Sequence, residues 1–176
     1  MTDALSVRLE RVLRVIPDFP KPGIQFRDIT PLLADPGLMG EVIASLSAGF
    51  AIGDISHVVG VESRGFLFGV PIALALNAAF VPARKPGKLP ARTVCESFAL
   101  EYGSDALEIH ADALDHNARV FIVDDILATG GTVAAACRLV ERLGAEVVGI
   151  GVVGQIAGLC EAGGLAGREV RVLVSL

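Results

Sequence analysis

The sequence predicts an α/β fold: a doubly wound, mostly parallel five-stranded sheet flanked by helices, with a small hood and a flexible flap. Three observations carry that expectation. Strand-like runs rich in Val and Ile recur with little polar alternation, as in a sheet covered on both faces. Helical patterns alternate with them, which is the rhythm of parallel βα units. Residues 119–153 form a complete βαβ pattern, its helix striped by Val133, Ala136, Cys137, Val140 and Leu143 and closed by Gly144. With 176 residues, 52% of them apolar, the chain has material for one domain over 1–176 with a substantial core.

The elements follow in order. Leu5, Leu9, Val12, Leu13 and Ile16 recur at helical spacing, so a helix is predicted over about 4–15, stopped before Pro17. PDFPKPGIQFRDIT, residues 17–30, holds three prolines and a glycine, which forbid a helix and predict an irregular, semi-rigid connection. Together these would form a hood over about 1–35. A helix is expected over 36–50, with Leu38, Val42, Ile43 and Leu46 on one face. Strands fit 57–61, 78–83, 119–124, 146–153 and 170–174, and helices fit 66–76 and 132–143. Between 85 and 112 the alternation stops. There SFALEYGSDALEIH alternates like half-exposed strand about a turn at Gly103, and a flap over about 90–112 is expected.

Charge and composition exclude several classes. A net charge of −5 argues against a nucleic-acid or anionic-membrane surface, so no partner of either kind is expected. Apolar runs fall short of the roughly 18 residues a membrane span needs, and the N-terminus lacks a signal-type apolar block. The three cysteines show no metal-ligand spacing, which suits reduced thiols in the cytoplasm.

The most informative chemistry lies in VFIVDDILATGGT, residues 120–132. An apolar strand leads to Asp124 and Asp125, where adjacent charges are unfavourable unless something binds them. Ala128, Thr129, Gly130, Gly131 and Thr132 then open a helix, offering backbone amides, hydroxyls and a positive helix end to an anion. A capped helix alone explains the Thr and Gly but not the paired acids; a phosphorylated ribose explains both. Glu62, Ser63, Arg64 and Gly65 repeat the strand, polar turn and helix arrangement with an arginine, suited to a diphosphate. An ordinary cap with Arg64 paired to Glu62 is the competing account. Arg84, Lys85, Lys88 and Arg92 in RKPGKLPAR add positive charge at a strand end, either as a solvated loop or as a further polyphosphate contact. No Walker-type loop is present, and GIGVVG, residues 149–154, matches a dinucleotide fingerprint only formally because it lies within a strand.

Together these segments resemble the type I phosphoribosyltransferases. PDFPKPGIQFRDITPLL, VESRGFLFG, RKPGKLP and SFALEYGSDALEIHADAL, in that order, are similar to the characteristic segments of the adenine phosphoribosyltransferase family. The resemblance implies the type I phosphoribosyltransferase fold and transfer of a 5-phosphoribosyl group from 5-phosphoribosyl 1-diphosphate to adenine, giving AMP and diphosphate. It implies that residues 128–132 hold the 5′-phosphate, Asp124 and Asp125 the ribose hydroxyls, and residues 62–65 the diphosphate, with a cis peptide at Glu62-Ser63. Arg84, Lys85 and Lys88 would add charge on the diphosphate. Arg64 and Glu101 would be the catalytic residues, Glu101 as acid/base near the purine, with Tyr102 beside it on the flap. Adenine would stack near Phe26 and be read by the backbone of Gln25 and Arg27, with Leu159 or Leu165 closing the pocket. Mg²⁺, bound mainly through the donor rather than by protein ligands, and a homodimer are also implied. A transferase for another base, and a non-catalytic nucleotide sensor on the same fold, are the rival expectations.

Overall fold

A computed structural model describes residues 4–99, 104–159 and 164–176. Helix α1 (Leu5–Val12) buries Leu9. It ends sooner than its apolar spacing predicts, because the chain turns extended at Leu13 and residues 14–17 pair as strand. Those residues are β1 (Arg14–Pro17), antiparallel to β2 (Gln25–Asp28). The proline-rich stretch is therefore not wholly irregular. Its prolines bar a helix, yet Pro17 closes the first strand and Pro20 and Pro22 lie in the connection, where no ladder N–H is required. Gly23, at φ +88°, makes the turn into β2. The short α2 (Thr30–Leu33) and then α3 (Pro36–Ser47) follow. Asp35 caps α3, its carboxylate accepting from the Leu38 N–H at 3.0 Å, with Pro36 at the first helical position.

Two βαβ units come next. The first is β3 (His57–Val61), α4 (Gly65–Leu76) and β4 (Ala79–Ala83). The second, after an antiparallel hairpin of β5 (Thr93–Ala99) and β6 (Ser104–His110), is β7 (Arg119–Leu127), α5 (Gly131–Arg142) and β8 (Glu146–Gln155). Strand β9 (Val170–Ser175) completes the sheet. Its order is β4-β3-β7-β8-β9 and every neighbouring pair is parallel.

Both faces of the sheet are covered, as the Val- and Ile-rich strands require. Along β7, Val120 and Ile122 join a core shared with α5 and the hairpin's Leu107 and Ile109. The alternate residues Phe121 and Val123 join the opposite core, with Leu9, Val42, Phe68 and Ile72 from α1, α3 and α4. The glycines of GIGVVG lie inside β8, where they make room rather than bind phosphate. A Cβ on Gly151 would come within 2.6 Å of the Phe121 ring.

The topology also opens the site. β4 lies on one side of β3 and β7 on the other, so the connections wind in opposite directions and leave a crevice at the strands' C-terminal ends. β3 stops pairing with β7 at Gly60↔Val123, whereas β7 stays paired with β8 as far as Leu127↔Gln155. Asp124 and Asp125 are thus inside β7, not at its end as the sequence suggests, on the stretch that has lost its β3 neighbour.

Candidate active site

Arg64 stands at the centre of this crevice. It is the residue before α4, and its guanidinium does not pair with Glu62 as a local cap would have it. Nε lies 2.8 Å from Asp125 Oδ2, an ion pair without hydrogen-bond alignment; that oxygen is buried and has no hydrogen-bond donor among the described residues. Nη1 donates to the Arg27 carbonyl at 3.3 Å, and the guanidinium carbon sits 4.9 Å from the Phe26 ring centroid. Glu62 turns instead to Arg84, accepting from its Nη2 at 2.6 Å and from the Lys85 backbone N–H at 2.9 Å. The Arg84 hydrogen bond holds the Glu62 carboxyl below the ordinary carboxylate range. The peptide between Glu62 and Ser63 is cis.

Arg64 lines two adjoining cavities, and a third lies beside them. The first, about 500 Å³, is walled by Gln25, Phe26 and Arg27 on one side and Ile126, Ala128, Ile156 and Leu159 on the other. That size suits a small organic ligand, and its walls are mostly apolar. The second, about 270 Å³, is charged: Arg64 and Lys85 face Glu62, Asp105, Asp124 and Asp125. Arg64 and Ile126 belong to both, so an aromatic slot and a charged slot share one wall. The third is a niche of about 70 Å³ formed by Asp124, Ala128, Thr129, Gly130 and Thr132 with their neighbours. Gly130 enters α5 at φ +87°, and no side chain caps the helix. The first amides of α5 therefore remain available to an anion.

Burial pushes the carboxyl of Asp124 well above the ordinary range, and the charge of Asp125 pushes it further. Asp125 is raised by burial too, with Arg64 pulling it back. Gly65 is buried where α4 begins; a Cβ there would meet the Val123 carbonyl at 2.7 Å and Asp124 Oδ1 at 3.1 Å. It lets α4 approach the paired acids rather than offering a surface to ligand.

The remaining sequence candidates divide. Ser63 and Lys85 line the charged cavity. Arg84 is held on Glu62 and on the Lys88 carbonyl, and Lys88 is exposed and outside that cavity. Leu159 lines the apolar cavity, whereas Leu165 is buried in the core beside α5. Glu101 and Tyr102 lie outside the described residues. Sequence reasoning missed Ile24, Ile126 and Ile156 in the first cavity and Asp105 in the second. The signal for Ile126 was its place in the chain, between Asp125 and Ala128, both of which were named.

A doubly wound sheet with an anion niche, paired acids and a cationic turn at its switch point defines the class, and the phosphoribosyl transferase domain model matches residues 38–157. The adenine phosphoribosyltransferase of Myxococcus xanthus is 62% identical over 150 residues, 85% of this chain and 82% of the relative. That of Roseiflexus castenholzii is 52% identical over 94% of this chain and 92% of its own length. The chain belongs to the adenine phosphoribosyltransferase family. Among solved structures, the Rhodothermus marinus adenine phosphoribosyltransferase superposes with a TM-score of 0.90 at 46% identity, covering 98% of both chains. The Saccharomyces cerevisiae enzyme, solved with an imino-altritol bisphosphate and adenine, gives 0.89 at 41% identity over 96% of this chain and 98% of its own.

Proposed function

We propose that this chain transfers the 5-phosphoribosyl group of 5-phosphoribosyl 1-diphosphate to adenine, releasing diphosphate and AMP. The observation that carries the reading is the wall shared by the apolar and charged cavities, Arg64 with Ile126. A base in the first and a diphosphate in the second would meet across it at ribose C1′, where adenine N9 forms its bond as the C1′–oxygen bond to diphosphate breaks. The adenine complex of the yeast relative supports the choice of base.

Each residue has a role in this reading. Phe26 stacks on the purine, the Gln25 and Arg27 backbones meet its polar edge, and Leu159 closes the far side. Asp124 and Asp125 accept from the ribose hydroxyls, and residues 128–132 donate to the 5′-phosphate. Ser63, Arg64 and Lys85 receive the diphosphate, with Arg64 offsetting negative charge that grows on the leaving group. Glu62 acts through Arg84 and the Lys85 backbone, as a brace for that loop. Glu101 would exchange the purine proton, with Tyr102 beside it in sequence, the roles that the family resemblance implies for two residues outside the described ones.

Mg²⁺ fits this donor set. Among the described residues Glu62, Asp105, Asp124 and Asp125 line the charged cavity with Arg64 and Lys85, and Glu62 and Asp105 already hold Arg84 and Lys85, so a bare diphosphate would enter a space rich in carboxyl groups. Among the described residues no three carboxylates converge as a cation site, so the ion would be held mainly by the donor's own oxygens. When bound, it neutralises charge on the leaving diphosphate.

The test is product formation from the diphosphate donor with adenine, guanine, hypoxanthine, xanthine, uracil and orotate in turn. AMP with stoichiometric diphosphate, and far slower turnover of the other bases, is expected. Preference for any other base, or base-independent binding without diphosphate release, would sink the reading.

A second copy of the chain as partner belongs to the same proposal. α4 is apolar all round, and Leu67, Val70 and Leu74 leave one stripe 45%, 41% and 78% exposed. An exposed apolar stripe of that kind marks an interaction surface. Leu74→Asp is expected to shift the protein from dimer to monomer in size-exclusion chromatography with light scattering; a wild-type monomer would remove the dimer from the reading. Among the described residues no helix is long and apolar enough to cross a membrane. A cytoplasmic setting is supported by the free thiols of Cys95 and Cys137.

A further inference from the structure

The donor cavity contains an anion of its own. Lys85, the cation that faces the diphosphate region alongside Arg64, has its ammonium 2.9 Å from Asp105 Oδ2, and both side chains line that cavity. Asp105 belongs to β6, not to the turns that bear the other site residues, and no role in the transfer falls to it.

The pairing is built into the backbone. Arg84 and Glu108 form a two-way bridge, with N–H to carbonyl distances of 2.8 and 2.7 Å, so the residue before Lys85 is fastened to the strand that carries Asp105. The Gly87 N–H adds a bond to the Glu108 carboxylate at 3.2 Å, and the Lys85 N–H is held by Glu62. On the other edge of the hairpin, Glu96 takes Arg138 at 2.6 Å and Arg142 at 3.2 Å, which anchors β5 to α5. The backbones on both sides are thereby fixed. What remains free is the choice the Lys85 ammonium makes between Asp105 and another anion. Asp105 is well suited to compete, since Lys85 and the Ala106 N–H keep its carboxyl in the charged form.

We infer that Asp105 competes with the donor's diphosphate for Lys85 and so sets the protein's affinity for diphosphate-bearing ligands. The inference rests on the phosphoribosyl-transfer reading. A diphosphate that reaches Lys85 must break the 2.9 Å pair and then lie beside a displaced carboxylate of its own sign. Both effects weaken binding of donor and of product diphosphate, and neither touches AMP, which carries no diphosphate. Asp105 is a positioning residue in this scheme, because it acts through Lys85.

Calorimetric titration of wild type, Asp105→Asn, Asp105→Glu and Lys85→Met with magnesium diphosphate and, separately, with AMP tests it. Asp105→Asn should bind diphosphate about two- to tenfold more tightly, the range for freeing a part-exposed ion pair and removing one like charge. Its KM for the donor should fall in parallel, with AMP affinity and the KM for adenine unchanged. Asp105→Glu should remain near wild type, and in the Lys85→Met background Asp105→Asn should lose most of its effect. A merely structural tether gives the opposite pattern: diphosphate binding unchanged or weaker, or AMP shifting in step, overturns the inference while leaving the transfer reading intact. Wild-type protein that binds neither ligand overturns both.

Discussion

Arg64→Ala is expected to lower kcat/KM by about 10²- to 10³-fold, with Arg64→Lys recovering little of it. Arg64 reaches in three directions: toward the Asp125 carboxylate, the Arg27 carbonyl and the Phe26 ring. Truncation leaves a buried carboxyl without its counter-charge, a loss of about 3–5 kcal/mol in comparable settings. It also removes the guanidinium shared by the apolar and charged cavities. A lysine restores charge but not the planar fork, nor the stacked face over Phe26. Stability separates this account from a generic packing defect. Burial raises Asp125 and Arg64 opposes the rise, so the variant's folded carboxyl moves further above its unfolded value. A raised carboxyl leaves stability intact at low pH and withdraws it as pH climbs through the folded value. Arg64→Ala should therefore lose more Tm at pH 8 than at pH 5.5, relative to wild type. An equal loss at both, or near-normal kcat/KM, would show that Arg64 does not hold Asp125 in the ionised form.

What the sequence revealed, and what it hid, follows from how far each interaction reaches. The β7–turn–α5 junction was legible because its signals are contiguous: an apolar run, two acids, small residues and a helical stripe. The parallel sheet was legible because burial on both faces removes polar alternation from every strand. The β1–β2 pair was not, since prolines argue against regular structure locally and only the partner strand, reached through the Gly23 turn, supplies the compensating ladder. The extent of β7 escaped for the same reason. Two carboxylates look like a strand end, yet pairing with β8 carries the strand through them while β3 drops away. Arg64 is the clearest case. Its nearest acid along the chain is Glu62, but Glu62 is taken by Arg84 and the guanidinium reaches Asp125 on a different strand. Residue types named the chemistry; the pairing was decided by the topology that lays the loop after β3 against β7.

Asp124→Asn is expected to raise Tm by about 2–8 °C while reducing kcat/KM for the donor by about 10²-fold, so that stability and activity move in opposite directions. Asp124 is pushed upward first by burial and then by the adjacent Asp125 charge, which means its ionised form opposes the fold. Asparagine is nearly isosteric and keeps an oxygen for the Asp125 N–H, now 2.9 Å from Asp124 Oδ1, so the loop geometry is retained. Relief of the charge should be worth about 1–2 kcal/mol, the usual yield of neutralising a strained functional group, and a chain of this length gains about 2–4 °C per kcal/mol. On the proposed role of Asp124, activity falls because a ribose hydroxyl that would donate to a carboxylate meets a weaker, neutral acceptor, and charged hydrogen bonds of this kind contribute about 1.5–3 kcal/mol each. The pH dependence gives the sign. The Asp124 contribution to wild-type stability, present at low pH, is withdrawn as pH rises through the elevated Asp124 value, and melts between pH 5 and 8 should show the variant without that component of the slope. Thermal melts across that range, set beside donor kinetics, decide the matter: an unchanged slope, or a lower Tm with full activity, would mean that the paired acids are held for the fold rather than for the ribose.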